Sequence, residues 1–157
     1  MSRTPVAIAL GTNLGDRHAH LAFAVAGLSR ILEDLRVSRP VETLPEGVPD
    51  LQPPFLNAAL VGTTTLEPRQ LLDALLAIER QRGRERPYRF AARTLDLDLI
   101  LYGDRIVREP GLEVPHPRFR ERRFVLAPLV EIAGDWLDPV SGSTISALLR
   151  SLPAHPS

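Results

Sequence analysis

Apolar and polar residues alternate over residues 94–101, which read Thr-Leu-Asp-Leu-Asp-Leu-Ile-Leu. Successive side chains of a strand point to opposite faces, so this period of two predicts a β-strand. One face would carry Leu95, Leu97, Leu99 and Leu101, and the other Thr94, Asp96, Asp98 and Ile100. The pattern is typical of a strand with one buried and one solvated face. It also places two carboxylates side by side, which leaves a chemical role open.

Similar patterns predict further elements before this strand. Apolar runs predict strands at 6–10, 36–43 and 55–65, and apolar residues at helical spacing predict helices at about 17–34 and 68–83. Thr12, Asn13 or Asp16 is available to cap the first helix. The order strand, helix, strand, strand, helix, strand predicts an α+β fold with a ferredoxin-like split βαβ core, in which helices pack on an antiparallel sheet.

The rest of the chain predicts a helical C-terminal extension. It begins with a turn at 103–104, an extended piece at 105–108 and a rigid turn at 114–117. A helical stretch at 124–132, interrupted by Pro128, follows. The last element is a short helix that is capped by Ser143 or Thr144 and ends near Leu152. Residues 44–54 hold four prolines and a glycine, and residues 83–93 are rich in arginine, so both stretches are expected to be loops. We expect a single domain over residues 1–157.

Composition narrows the class of protein. The chain has no cysteine, no apolar run of membrane-spanning length and no secretory type of N-terminus, so we expect a soluble cytoplasmic protein. The net charge is zero, which argues against a general polyanion binder. All 19 basic side chains are arginine.

The arginines are clustered. Residues 80–93 hold six arginines and one acid, and residues 118–123 hold four arginines and one acid. A solvated helix end accounts for Arg80 and Arg82 but not for the arginines that follow. Arginine is a planar, always charged donor suited to phosphate oxygens, so a basic loop beside two carboxylates favours a polyphosphate with metal ions between them.

The carboxylate pair suits that chemistry. Asp96 and Asp98 would have α-carbons about 6.6 Å apart and could hold two divalent cations about 3.5–4 Å apart, as in two-metal phosphate chemistry. Other side chains keep two interpretations at this point. His116 is a structural residue or a phosphate contact, Asn57 is a buried amide that could read a ligand edge, and Phe55 and Phe124 belong to the core or flank a flat ring. Gly11 to Gly15 is a structural turn or a close approach to a ligand.

Several motifs resemble those of 6-hydroxymethyl-7,8-dihydropterin pyrophosphokinase of folate biosynthesis. They are Ala9-Leu10-Gly11-Thr12-Asn13-Leu14-Gly15-Asp16, Phe55-Leu56-Asn57-Ala58-Ala59, Arg93-Thr94-Leu95-Asp96-Leu97-Asp98-Leu99-Ile100, and Val114-Pro115-His116-Pro117 followed by Arg122-Arg123-Phe124. The resemblance runs from about residue 6 to residue 140 in the same order. One departure is Ala91-Ala92, where the family usually has Gly-Pro.

The resemblance implies an ATP- and Mg²⁺-dependent transfer of pyrophosphate to the hydroxymethyl group of the dihydropterin, with release of AMP. It implies two Mg²⁺ ions on Asp96 and Asp98, and catalytic roles for these two residues with Arg84 and Arg93. ATP contacts would be Glu79, Arg86, His116 and Arg122, together with Arg84 and Arg93. The pterin pocket would comprise Gly11, Thr43, Pro45, Phe55, Asn57 and Phe124, with Phe90 in a loop beside it. We expect a monomer that binds these small molecules and neither nucleic acid nor membrane.

Two other functions compete with this one. Split βαβ folds also bind RNA through aromatic side chains on the sheet, but the predicted Asp-bearing face offers none and its acids would repel phosphate without metal. A regulatory domain that binds a small ligand without turnover is the third possibility.

Overall fold

The computed structural model describes residues 3–43, 54–83 and 94–153. In these ranges the strands are β1 (Thr4–Thr12), β2 (Glu33–Val37), β3 (Val41–Thr43), β4 (Phe55–Thr64), β5 (Asp96–Tyr102), β6 (Val107–Glu109) and β7 (Leu112–Val114). The helices are α1 (Arg17–Leu28), α2 (Pro68–Gly83), α3 (Arg123–Ala133) and α4 (Ile145–Arg150), with a 3-10 turn at Phe119–Glu121.

The main sheet has the order β2-β4-β1-β5, and β3 pairs with β4 next to β2. All its pairings are antiparallel. Strand β4 therefore lies between β1 and β2, which α1 connects, and this is the split βαβ arrangement. The predicted ferredoxin-like α+β fold is confirmed. Strands β6 and β7 form a separate hairpin.

The sheet is buried on both faces. On the first face, α1 and α2 pack on Val6, Ile8 and Leu10 of β1. They also pack on the residues of β4 and β5 whose side chains point to this face. Leu71 and Leu75 of α2 are fully buried in this core. An amphipathic helix gains most of its stability from such packing, which explains why the helical spacing identified α2 well.

The C-terminal extension covers the second face. Ala7 and Ala9 of β1 and Ala59 of β4 have small side chains, and α3 and α4 pack against them with Leu126, Leu129 and Ile145 fully buried. The predicted interruption of α3 by Pro128 is wrong, because the helix continues through this residue. A proline removes one backbone donor, and α3 continues in spite of this loss with Pro128 among its buried residues. Thr144 caps α4 by accepting a hydrogen bond from the backbone of Ala147, as one of the two predicted caps.

The first helix is shorter than predicted. Helix α1 begins after its cap Asp16 but ends at Leu28, and β2 starts at Glu33 instead of Arg36. Leu32 continues the helical spacing, but it lies between α1 and β2 and is buried in the first core. Pairing of Glu33 with Thr63 of β4 overrides the local helical pattern.

The predicted strand at 36–43 is two strands. Ser38 separates them, because its backbone and side chain bond with Ala59 of β4: Ser38 N–H donates to the Ala59 carbonyl, and Ser38 Oγ accepts from the Ala59 N–H at 2.9 Å. Pro40, which cannot donate to a ladder, lies in the gap.

A bulge changes the faces of β5. Ala7 pairs with Leu101 but Ile8 pairs with Leu99, so one extra residue of β5 stands between them. Leu101 consequently packs in the second core with Ile100, and Tyr102 takes its place in the first. The prediction that Leu101 shares a face with Leu95, Leu97 and Leu99 is wrong. Within the described residues, no helix is long and apolar enough to cross a membrane.

Candidate active site

The site is a row of residues that crosses the sheet on its second face, the face that α3 and α4 partly cover. Gly11 of β1 pairs with Asn57 of β4 on one side and with Asp96 of β5 on the other. A Cβ atom at Gly11 would lie 3.3 Å from Asn57 Oδ1. The glycine therefore leaves the Asn57 amide and the Asp96 carboxylate separated by bare backbone, a place where a flat ligand can approach closely.

Asn57 extends the row towards β3. Its Nδ2 atom donates a 2.7 Å hydrogen bond to Thr43 Oγ1, and Thr43 pairs with Phe55 in the ladder. Asn57 is 6% exposed, so its amide must find polar partners inside the protein or on a ligand. The structure thus brings together four residues predicted for the pterin pocket: Gly11, Thr43, Phe55 and Asn57.

The two predicted metal carboxylates lie on the same face. Asp96 is beside Gly11 and Asp98 is beside Ala9, so the cross-strand neighbour of each carboxylate on β1 is a small residue. No cluster of three or more His, Asp or Glu side chains that could hold a metal occurs within residues 3–43, 54–83 and 94–153. A pair of carboxylates fits Mg²⁺ in particular, since this ion is usually held by one or two carboxylates together with waters and substrate phosphates.

His116 lies against the outer edge of β5. Its backbone N–H donates a 3.0 Å bond to the Ile100 carbonyl, and its Nδ1 accepts from the backbone N–H of Arg118 at 3.3 Å. Burial lowers the pKa of His116 from its ordinary value; the Asp98 carboxylate opposes this effect and Arg122 adds to it. In its neutral form the ring carries its proton on Nε2, because Nδ1 accepts from the Arg118 N–H.

Arg122 and Phe124 stand at the start of α3. Arg122 is the extended residue that precedes the helix, and its guanidinium carbon lies 5.7 Å from the centroid of the Phe124 ring. Phe124 is 38% exposed, unlike the core residues that follow it. An exposed aromatic ring next to an arginine is compatible with the flanking role that the sequence predicted, which stays a prediction.

Glu79 approaches the site from the opposite face. It belongs to α2, and its Oε2 atom accepts a 2.7 Å hydrogen bond from the backbone N–H of Leu97. Leu97 lies between the two aspartates on β5, which is an edge strand of the sheet. Glu79 thus ties α2 to the Asp-bearing strand, a structural contact that the sequence did not reveal. Its predicted contact with ATP stays a prediction.

Five predicted site residues lie outside the described residues: Pro45, Arg84, Arg86, Phe90 and Arg93. Their roles stay predictions. Sequence reasoning also missed Thr12, a buried residue whose hydroxyl donates to the Thr94 carbonyl and so joins the end of β1 to the start of β5. A polar residue directly after Gly11 was the available signal, but it was interpreted as a helix cap.

The site face also bears on the RNA-binding alternative. Strands β1 and β5 carry no aromatic side chain on this face, since Tyr102 packs in the first core. A base-stacking platform on these two strands is therefore missing from the part of the chain that the structure describes.

Known proteins are similar to this chain. A family model described as 7,8-dihydro-6-hydroxymethylpterin-pyrophosphokinase (HPPK) matches residues 7–134. The 2-amino-4-hydroxy-6-hydroxymethyldihydropteridine pyrophosphokinase of Synechocystis is 42% identical over 147 residues, which cover 92% of this chain and 74% of that protein. The Pseudomonas aeruginosa protein of the same name is 39% identical over 94% of this chain and 91% of its own length.

Some relatives are much longer. The Pneumocystis carinii folic acid synthesis protein fol1 is 38% identical over 96% of this chain, but the match covers 20% of that protein. The crystal structure of wild-type Plasmodium falciparum HPPK-DHPS superposes with a TM-score of 0.77 at 14% identity, covering 95% of this chain and 44% of that one, and it shows the shared fold. The extent of the family match and the identity to the shorter relatives show that the chain belongs to the 7,8-dihydro-6-hydroxymethylpterin-pyrophosphokinase family.

Proposed function

We propose that this chain transfers the β,γ-diphosphate of ATP to the hydroxymethyl group of 6-hydroxymethyl-7,8-dihydropterin in folate biosynthesis. The hydroxymethyl oxygen forms a bond to the β-phosphorus, the bond from that phosphorus to the α,β-bridging oxygen breaks, and AMP leaves while the alcohol proton passes to solvent. Membership of the family supports the reaction class. The observation that carries it in the structure is the row Asn57, Gly11 and Asp96, which joins a polar amide to a carboxylate pair across three strands.

In this proposal the pterin lies over Gly11. Asn57, already oriented by Thr43, would pair with the donor and acceptor edge of the ring. Phe55 and Phe124 would flank the ring, which places the hydroxymethyl group towards β5 and its carboxylates. Positioning of this kind supplies much of the rate enhancement in phosphoryl transfer.

Asp96 and Asp98 would hold two Mg²⁺ ions, which when bound neutralise charge on the phosphate oxygens. His116 would donate from Nε2–H, and Arg122 would place its positive charge beside the same phosphates. Preorganised donors of this type stabilise the charge that develops on the bridging oxygen. Glu79, Arg84, Arg86 and Arg93 complete the ATP contacts that the sequence predicts. We also propose that residues 1–157 act as one domain, as a monomer and in the cytoplasm.

The test measures AMP by chromatography after incubation of the purified chain with ATP, Mg²⁺ and 6-hydroxymethyl-7,8-dihydropterin. Omission of the pterin and addition of a chelator are the two controls. AMP that forms only when both pterin and Mg²⁺ are present supports the proposal. AMP formation without the pterin, or none under any condition, would overturn it.

A further inference from the structure

We propose that Arg17 is a positioning residue for the pterin-binding wall, acting through the backbone of β3 and β4 without touching the substrate. The inference rests on the proposed function, because it concerns the same pocket. It follows from the contacts of one side chain at the start of α1.

Arg17 bonds with both of these chain segments. Its Nη1 atom donates a 2.9 Å hydrogen bond to the Pro54 carbonyl, and its Nη2 atom lies 2.6 Å from Glu42 Oε1. Glu42 directly precedes Thr43, and Pro54 directly precedes Phe55. The contacts from Arg17 to Glu42 and Pro54, here called the Arg17 bridge, therefore act next to two residues of the proposed pocket.

The Arg17 bridge lies behind the pocket. Thr43 pairs with Phe55 and Glu42 with Leu56, so side chains along these strands alternate between faces. Leu56 packs in the first core with α1, whereas Thr43 bonds to Asn57 on the site face. Glu42 thus points to the α1 side of the sheet. Arg17 can set the spacing and direction of these two segments but lies on the far side of the sheet from the pterin.

The position of Arg17 in its helix also needs a reason. It is the first residue of α1, where the helix macrodipole disfavours positive charge, and the first turn holds no acidic residue. The charge therefore contributes nothing favourable to the helix itself. The side chain is only 22% exposed, and both of its amino groups are used by partners distant in sequence. The planar guanidinium fixes two acceptors in one geometry, which a lysine cannot do.

The chain offers a matched control. Arg69 also pairs with a glutamate and a proline carbonyl, with 3.0 Å from its Nη2 to Glu109 Oε1 and 3.0 Å to the Pro110 oxygen. These residues lie in α2 and at the β6–β7 turn, and among the described residues no hydrogen bond or ion pair of Arg69 reaches the proposed site. Arg17→Ala and Arg69→Ala therefore each remove one ion pair with a glutamate and one bond to a proline carbonyl, and only the first removes them next to the pocket.

The experiment compares the steady-state kinetics of the two variants with the wild type, with each substrate varied while the other is saturating. We expect Arg17→Ala to raise the KM for the pterin by about three- to tenfold, with kcat and the KM for ATP within about twofold. Arg17→Lys keeps the positive charge but loses the planar guanidinium that bonds two acceptors, so it should give an intermediate KM for the pterin. Arg69→Ala should leave all three parameters unchanged.

Hydrogen–deuterium exchange of the same variants measures the backbone directly. Arg17→Ala should speed amide exchange in peptides that cover Val41–Thr43 and residues 55–57, and Arg69→Ala should not. Equal kinetics and equal exchange in the two variants would overturn the role of Arg17 while an active wild type upholds the function. If the proposed function is wrong, the wild type will form no AMP. The exchange data will still decide whether the Arg17 bridge orders these strands.

Discussion

The Asp98 carboxylate lies on the site face of the sheet, between Asp96 and Ile100 along β5. Ala9 is opposite Asp98, and Ile100 follows two residues later in the second core. The position of Asp98 beside Asp96 on this face supports its proposed role as a metal ligand, which stays a prediction.

Asp98→Asn should lower turnover by at least about 100-fold, because it keeps the shape of the side chain and removes the charge that holds Mg²⁺. The rate of AMP formation measures the effect, and a thermal melt checks that the fold is retained. Asp104→Asn is the control, since Asp104 is an exposed carboxylate in the turn after β5. Near-normal AMP production by Asp98→Asn would refute the metal assignment.

Gly11→Ala tests the pterin side of the same row. The new methyl group would lie 3.3 Å from Asn57 Oδ1 and would press on an amide that Thr43 already holds. We expect the KM for the pterin to rise by roughly tenfold, about 1.4 kcal/mol of binding, while the KM for ATP stays within about twofold. Equal increases in both KM values would show that the substitution disturbs the whole site instead of the Asn57 contact.

Helix α2 and strand β5 are joined by Glu79, and two substitutions test this structural role. Glu79→Ala removes the acceptor for the Leu97 N–H and should cost about 1.5–3 kcal/mol of unfolding free energy. Glu79→Gln keeps an acceptor and should cost less than half as much. Urea denaturation measures both. Equal destabilisation by the two variants would mean that the negative charge, not the acceptor, holds the strand.

The segment between α3 and α4 is held by Asp138, which accepts hydrogen bonds at 2.5 and 2.9 Å from Arg120. Burial would raise the pKa of Asp138, but the bonds from Arg120, Ser141 and the Val140 backbone lower it to about 2. A carboxyl with a depressed pKa contributes its stability above its unfolded pKa of 3.8, and that stability is lost as the pH falls towards 2. The loss should be on the order of 2 kcal/mol.

Asp138→Asn should therefore be less stable than the wild type by about 2–3 kcal/mol at pH 6, and the difference should shrink as the pH approaches 2. Urea denaturation at pH 6 and at pH 2.5 provides the comparison. Ser143→Ala is a suitable control, since the Ser143 side chain makes no contact with Asp138 among the bonds of this segment. A constant difference between the wild type and Asp138→Asn at both pH values would contradict the assignment.

At the scale of elements, the sequence predicted those helices and strands that depend on local periodicity. It failed for boundaries and faces that are set by pairing with a neighbouring strand. Helix α2 and the start of β5 follow from spacing alone. The end of α1 does not follow from spacing, because Leu32 fits a helix equally well. The pairing of Glu33 with Thr63 of β4 starts β2 directly after Leu32. The bulge that moves Leu101 to the other face depends on the register with β1, which no single segment encodes.

At the scale of the molecule, the element order was sufficient to predict the split βαβ topology, because few arrangements of strand, helix, strand, strand, helix, strand satisfy the connection rules. The sequence could not place Arg17 and Glu79, since both act across elements far apart in the chain. Asn57, Gly11 and Asp96 were each identified separately in the sequence, and their common row became evident once the register of β4, β1 and β5 was known.

The two cores share one sheet, and this predicts that they unfold together. Residues of β1 alternate between them, with Ile8 in the first and Ala7 in the second. Trp136 is the only tryptophan and packs against the second core, so its fluorescence reports that side, while circular dichroism reports all helices and strands. We expect the two signals to give the same midpoint in urea. A lower midpoint for Trp136 would show that α3 and α4 detach first.

Ile145→Ala sharpens this test, because Ile145 is fully buried in the second core at the start of α4. The cavity should cost about 2–5 kcal/mol, and in a cooperative molecule both midpoints fall by the same amount. Leu137→Ala is the control, since Leu137 is 59% exposed and should change the free energy by less than about 0.5 kcal/mol. If Ile145→Ala moved the Trp136 midpoint alone, the extension that carries Arg122 and Phe124 would be a separate folding unit, and the site would depend on its docking.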